Sequence, residues 1–154
     1  MEPTVTTVKA ELDAVRVRRA ELREALSRLE RSLAAPASGR AVVWGEHVHT
    51  ILVEMAEDFR EHIDVTEGPD GLHHAILAGD LRLANAVSAL AADHIPIAGE
   101  IADLVAGTEP PVTAQDVDTV RDRGTNLLSR LVRHRQRGAD LIYEAYQTDI
   151  GGGD

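Results

Sequence analysis

The chain has 154 residues and a formal net charge of −10, from 16 Lys+Arg against 26 Asp+Glu, which excludes a non-specific nucleic-acid binder because phosphate contacts need clustered positive charge. With 44% apolar and 27% charged residues, the composition is that of one folded domain over 1–154 with a core of its own. The four aromatic residues (Trp44, Phe59, Tyr143 and Tyr146) are too few for a base-stacking platform, and the lack of cysteine excludes disulfides, thiolate metal sites and iron–sulfur clusters.

The opening Met-Glu-Pro-Thr-Val carries neither a basic n-region nor an apolar h-region. No apolar run approaches the ~20 residues of a membrane span, so the expected location is the cytoplasm, with no membrane partner. Over 5–33, Val8, Leu12, Val15, Leu22, Leu26, Leu29 and Leu33 recur at three- and four-residue steps and predict a long first helix. Pro36 and Gly39 end it. A second helical pattern over 41–65 follows through Val48, Ile51, Leu52, Met55, Phe59 and Ile63.

Gly68-Pro69-Asp70-Gly71 then interrupts the pattern, which resumes over 72–77. Pro69 has no N–H to give and clashes with the preceding turn, so 65–72 is not expected to be regular helix. A third helix is predicted over 81–106 through Leu83, Val87, Leu90, His94, Ile97, Ile101 and Leu104, with a kink at Pro96. The fourth starts at Thr113, a good N-cap, and runs to 146, leaving 149–154 as a flexible tail. The expected fold is therefore all-α: an antiparallel up-down four-helix bundle whose second helix is kinked near Gly68-Pro69.

Histidines carry the chemistry. His62, His94 and His134 lie on inward faces of three different helices. If the second helix effectively continues to the turn at Gly79, His62 precedes that turn by nearly as many residues as His94 follows it. Antiparallel helices rise equally per residue, so the two imidazoles share a level. His134 matches that level only loosely. Three inward imidazoles at similar depth suit a first-row transition metal. His47 and His49, ten or more residues above His62, belong to the helix end or surface.

A two-metal centre also needs bridging carboxylates. Glu67 follows His62 by five residues, past the three- and four-residue steps that share a helix face, so on a regular helix it points away from His62. Unwinding at Pro69 is the expected means of bringing it to the metal beside His62. Asp140 and Glu144 follow His134 by six and ten residues and lie off its face. Past Gly71, His73 can fold back toward Glu67. Tyr143 and Tyr146 are expected to pack with their hydroxyls in water.

The stretch from Phe59-Arg-Glu-His62 through Glu67-Gly-Pro-Asp-Gly-Leu-His73, then Ala-Asp-His94-Ile-Pro-Ile, then Leu131-Val-Arg-His134-Arg-Gln-Arg-Gly-Ala-Asp140, resembles the hemerythrin-like (HHE cation-binding) family over about 10–148. The resemblance implies a four-helix bundle with a non-haem di-iron centre, oxo- or carboxylate-bridged. Carried over residue by residue, it implies His62, His94 and His134 as ligands, then Glu67, with Asp140 or Glu144 on the fourth helix. The chain departs from the pattern in three places. It has no histidine before 47, with Arg19 in the first-helix seam, and Thr66 and Gly138 fill the slots four residues after His62 and His134. His73 or an off-pattern carboxylate is then expected to complete the set, and Arg19 to pair with Glu54 or Glu144 or to reach the bundle edge.

Three functional readings follow. The first, implied by the resemblance, is a di-iron protein that binds or reacts with O2, NO or peroxide, leaving open whether it turns the ligand over. The second is a metal-poor bundle acting as an interaction module, with a homodimer through the Arg- and Glu-rich first helix. The third is a mononuclear zinc or iron site built from His62, His94, His134 and one carboxylate.

Overall fold

The computed structural model describes residues 5–69 and 71–151, with side chains described at 13, 16, 17, 20–69 and 71–146. Helices α1 (Val5–Ala34), α2 (Ala41–Glu67), α3 (Leu72–Gly79), α4 (Ala84–Gly107) and α5 (Val117–Gly151) make up most of it, with a 3-10 turn at Leu81–Leu83 leading into α4. No strand occurs among the described residues. The chain is all-helical, as its 3.6-residue periodicity requires.

The predicted breaks hold, with two shifts. Gly39, at φ +71°, supplies the left-handed conformation between α1 and α2. The carbonyls left open at the end of α1, Leu33 and Ala35, accept from Arg121 of α5, whose guanidinium also lies 5.3 Å over the Trp44 ring. In the second helix the interruption is narrower than 65–72. Gly68 still donates to Asp64, so α2 stays regular through Glu67 and α3 resumes at Leu72. One proline perturbs mainly the turn that precedes it, and Gly71 completes the break.

The second shift is at Thr113, which does not cap α5. Its N–H and hydroxyl both donate to the Asp116 carboxylate, closing a turn that delays the helix to Val117. Helix α4 continues through Pro96. Helix α5 continues to Gly151, into the segment expected as a tail, and 152–154 lie outside the described residues. The Arg19 side chain is likewise outside them, but Glu54, one of its expected partners, is taken by Arg28 at 2.6 Å. Among the described residues no single helix is long and apolar enough to cross a membrane.

Helix α1 packs on α2 and α5, and α4 packs on α2 and α5, so the four long helices are neighbours in the cyclic order α1, α2, α4, α5. Their buried faces form two apolar clusters. The larger contains Leu29, Trp44, Val48, Met55, Phe59, Ile97, Ile101, Leu127 and Leu131. The smaller contains Leu72, Ile76, Leu83, Val87, Leu90, Leu141 and Ala145. A Cβ on Gly45 would lie 2.3 Å from Val112 Cβ, so this glycine lets the α4–α5 connection seat directly on α2.

Candidate metal centre

The polar site occupies the join between the two clusters. Along α2 the chain passes from Phe59 to His62 and on to Leu72 of α3; along α4, from Leu90 to His94 to Ile97; along α5, from Leu131 to His134 to Leu141. In each case one buried histidine marks the crossing. The ordinary helical stripe therefore delivers the three imidazoles to one level, His134 included.

Their Nε2 atoms converge. His134 Nε2 stands 3.3 Å from His62 Nε2 and 3.2 Å from His94 Nε2. Three ligand nitrogens, one from each histidine, lie within 4.8 Å of one another. A metal at the usual ~2.0–2.1 Å from imidazole nitrogens sets neighbouring ligand nitrogens about 2.9–3.4 Å apart in octahedral or tetrahedral geometry, and both measured separations fall in that interval.

The outer nitrogens fix the tautomers. His94 Nδ1 donates to Glu67 Oε2 at 2.6 Å, and His134 Nδ1 donates to Asp93 Oδ2 at 3.2 Å. Arg137 holds Asp93 in turn at 3.0 Å. With the proton on Nδ1, each neutral ring presents a bare lone pair at Nε2. In that state the lone pairs of His94 and His134 would face each other, the two Nε2 atoms being 3.2 Å apart. A shared cation satisfies both. Carboxylates on the far nitrogen of metal-ligating histidines orient the ring and raise its basicity.

Protonation is disfavoured here. Burial, more than any other cause, pushes His134 below the ordinary histidine range, against the opposing effect of its bond to Asp93. Burial would raise Asp93, but the His134 hydrogen bond and the Arg137 charge outweigh it and hold the carboxyl low. His73 is pushed down to about 4, by burial first and then by His94, against the opposing pull of Glu67. In the unfolded chain an imidazole titrates near 6.5, so between pH 6.5 and about 4 the unfolded state takes up protons that the native state refuses, and stability falls as pH falls. For the metal-free protein we expect a loss of about 3 kcal/mol from His73 alone between pH 7 and pH 4, from ~1.36 kcal/mol per pKa unit, measurable as a lower urea midpoint. An unchanged midpoint at pH 4.5 would contradict this.

Phe59, 1% exposed, backs the three rings. It stacks on His62 at 5.6 Å and meets the edges of His94 and His134 at 5.7 and 6.2 Å. A cavity of about 40 Å³ also borders the three histidines, walled by Leu22, Leu72, Leu90, Leu141 and Ile142, with His73, Arg135 and Gly138. At ~10–15 Å³ per water-sized guest, it accommodates a molecule of two or three heavy atoms.

The other residues singled out by sequence fall in different places. Glu67 turns inward, but onto His94 Nδ1 from the neighbouring helix, not to a position beside His62. The same offset around α2 that turns it from His62 aims it at α4. His73 is buried and parallel to the His94 ring (centroids 6.2 Å apart, planes 7°), outside the convergent three. Asp140 and Glu144 are exposed, as their angles from His134 on a regular helix require, and Asp140 accepts from Gln136. His47 is exposed, and His49 bonds Thr108 at 3.0 Å, far along α2 from the site. Tyr143 is exposed and Tyr146 half-buried.

Asp93 escaped sequence reasoning. It precedes His94 but serves His134 across the α4–α5 interface, and carboxylates sought at fixed spacings after a histidine on the same helix do not include it.

No protein-family model matches the chain, and searches of curated proteins and of solved structures return no match either.

Glu67→Gln keeps an acceptor for His94 but removes the charge. We expect metal affinity to drop about 10–100-fold, the usual effect of losing an outer partner, with secondary structure intact by circular dichroism. An unchanged affinity in a metal titration would contradict this.

Proposed function

We propose that the chain is a metal-binding helical bundle of the hemerythrin-like kind, an antiparallel up-down arrangement, whose core site holds one non-haem iron ion through Nε2 of His62, His94 and His134. The bundle arrangement is supported by the cyclic packing of α1, α2, α4 and α5, the usual neighbour relation of a four-helix bundle. The observation that carries the metal assignment is the convergence of three buried histidine nitrogens, with His134 Nε2 3.2 Å from His94 Nε2 and 3.3 Å from His62 Nε2 while the Nδ1 atoms of His94 and His134 face carboxylates. Iron is chosen on the resemblance of the three histidine segments; the donor set suits any imidazole-preferring divalent ion.

One ion is favoured over a bridged pair because the carboxylates expected to bridge are engaged or remote. Glu67 holds His94, and Asp140 and Glu144 are exposed. Three protein ligands leave open positions, and the iron when bound supplies a Lewis-acidic, redox-active point for a small exogenous molecule such as O2, NO or peroxide. The protein's own contribution is to hold the three imidazoles convergent, to orient His94 and His134 through Glu67 and Asp93, and to place aliphatic side chains around the cavity. A cytoplasmic setting fits a cysteine-free chain of this composition.

Anaerobic titration with ferrous ion, followed by metal analysis and visible spectroscopy with NO, tests the proposal. One iron per chain and a nitrosyl absorption are expected. Two irons per chain would favour the bridged centre, and no stoichiometric metal would favour an interaction module.

A further inference from the structure

Away from the three histidines, α1 and α5 frame an open groove of about 850 Å³. Its floor is apolar. Leu26 and Leu33 are buried, Leu128 packs against the larger apolar cluster, and Val132 stands 45% exposed along the rim. A Cβ on Gly124 would lie 2.6 Å from Leu33 Cδ1, so the two helices close on each other at that end, where Arg121 also lies. Towards the other end, Leu22 and Arg135 share the wall of the small cavity, which places their neighbours Arg23 and Arg133 together on the groove.

Charge sets this groove apart. The chain has a net charge of −10, and elsewhere several of its arginines are matched, Arg28 by Glu54, Arg130 by Glu100 and Arg137 by Asp93. Along the groove they are not. Arg23 and Arg133 are exposed and meet no carboxylate among the described residues, and Glu30, the one acidic residue lining the groove, pairs with neither. Arg121 donates to the carbonyls of Leu33 and Ala35, which leaves its charge without a counter-ion. An apolar trough edged by uncompensated cations on an acidic protein is a surface complementary to an apolar stripe flanked by carboxylates.

We propose that this groove receives an acidic amphipathic helix of a partner protein, its apolar stripe on Leu26, Leu128 and Val132 and its carboxylates beside Arg23 and Arg133. The length suits it: α1 rises ~16 Å over the groove, about three turns, enough for apolar anchors at i, i+3 or i+4, and i+7. Other occupants fit less well. A small molecule stays largely wet in an open trough, a lipid surface is flat where the groove is concave, and a nucleic acid is repelled by the acidic remainder of the chain. A second copy in a two-fold contact would set arginine against arginine. The inference stands apart from the metal-binding reading and does not depend on it.

The test uses the full chain and a fluorescent peptide of about four turns, with Leu at alternating three- and four-residue steps, Glu beside them, and a side-chain staple that keeps so short a helix folded in water. A control peptide carries Lys in place of every Glu. Fluorescence anisotropy should give a dissociation constant of ~100 μM or tighter for the Glu peptide, at least tenfold weaker for the Lys peptide, and weaker as NaCl rises from about 50 to about 500 mM, because exposed charges are screened. Arg23→Glu with Arg133→Glu should lower the affinity at least tenfold, since two attractions become two repulsions. Val132→Asp, which keeps both arginines, should lower it as well, and all three positions are exposed, so circular dichroism should be unchanged. Weaker binding of the Glu peptide, equal binding of the Lys peptide, or an unchanged affinity in either variant would overturn the proposal. So would tighter binding of oligothymidylate or of phosphatidylserine vesicles, or a concentration-dependent dimer in sedimentation, that the double variant abolishes, since these assign the groove to a nucleic acid, a membrane or a second copy.

Discussion

His94→Ala should abolish stoichiometric metal binding, lowering affinity by more than the ~10–100-fold that follows loss of an outer partner, while the helices persist. His94 is 2% exposed, its Nε2 is 3.2 Å from that of His134, and its Nδ1 anchors Glu67. Removing it takes away one ligand and frees the carboxylate that set its tautomer. Glu67 retains access to solvent, its side chain being 34% exposed, so no unpaired charge is stranded and the fold survives. Equilibrium dialysis with zinc or ferrous ion checks the affinity and circular dichroism the fold. Full occupancy in this variant would refute the site.

Phe59→Ala should carry the largest stability cost of any single truncation near the site, about 3–5 kcal/mol. The ring is 1% exposed and belongs to the larger apolar cluster, and it also touches the imidazoles of His62, His94 and His134. Its loss leaves a void that the three rings, tethered by outer carboxylates at only two of them among the bonds described, can tilt into. Metal affinity should therefore fall along with the chemical-denaturation midpoint. Phe59→Leu, which keeps most of the volume, should lose less than half as much of both. Equal losses in the two variants would mean that cavity formation is not the cause.

Much of this was legible in the sequence, because helical periodicity is a local property. The stripes through Leu26, Ile51, Leu90 and Leu131 placed the buried faces, and Pro36, Gly39, Gly68 and Pro69 marked breaks that the backbone requires. Depth along antiparallel helices put His62 level with His94. What was not legible depends on contacts between helices. The pairing of Asp93 with His134 spans 41 residues and that of Glu67 with His94 spans 27, and neither follows from a spacing on one helix. The start of α5 was missed because Thr113 and Asp116 bond each other in a turn, a local competition that a capping preference alone does not resolve.

X-ray absorption on the iron-loaded protein tests the central claim most directly. The account predicts one iron per chain with nitrogen or oxygen neighbours near ~2.0–2.1 Å, outer-shell scattering from three imidazoles, and no metal–metal vector. A clear metal–metal distance near ~3.5–4 Å, or outer-shell scattering that needs fewer than three imidazoles, would contradict it.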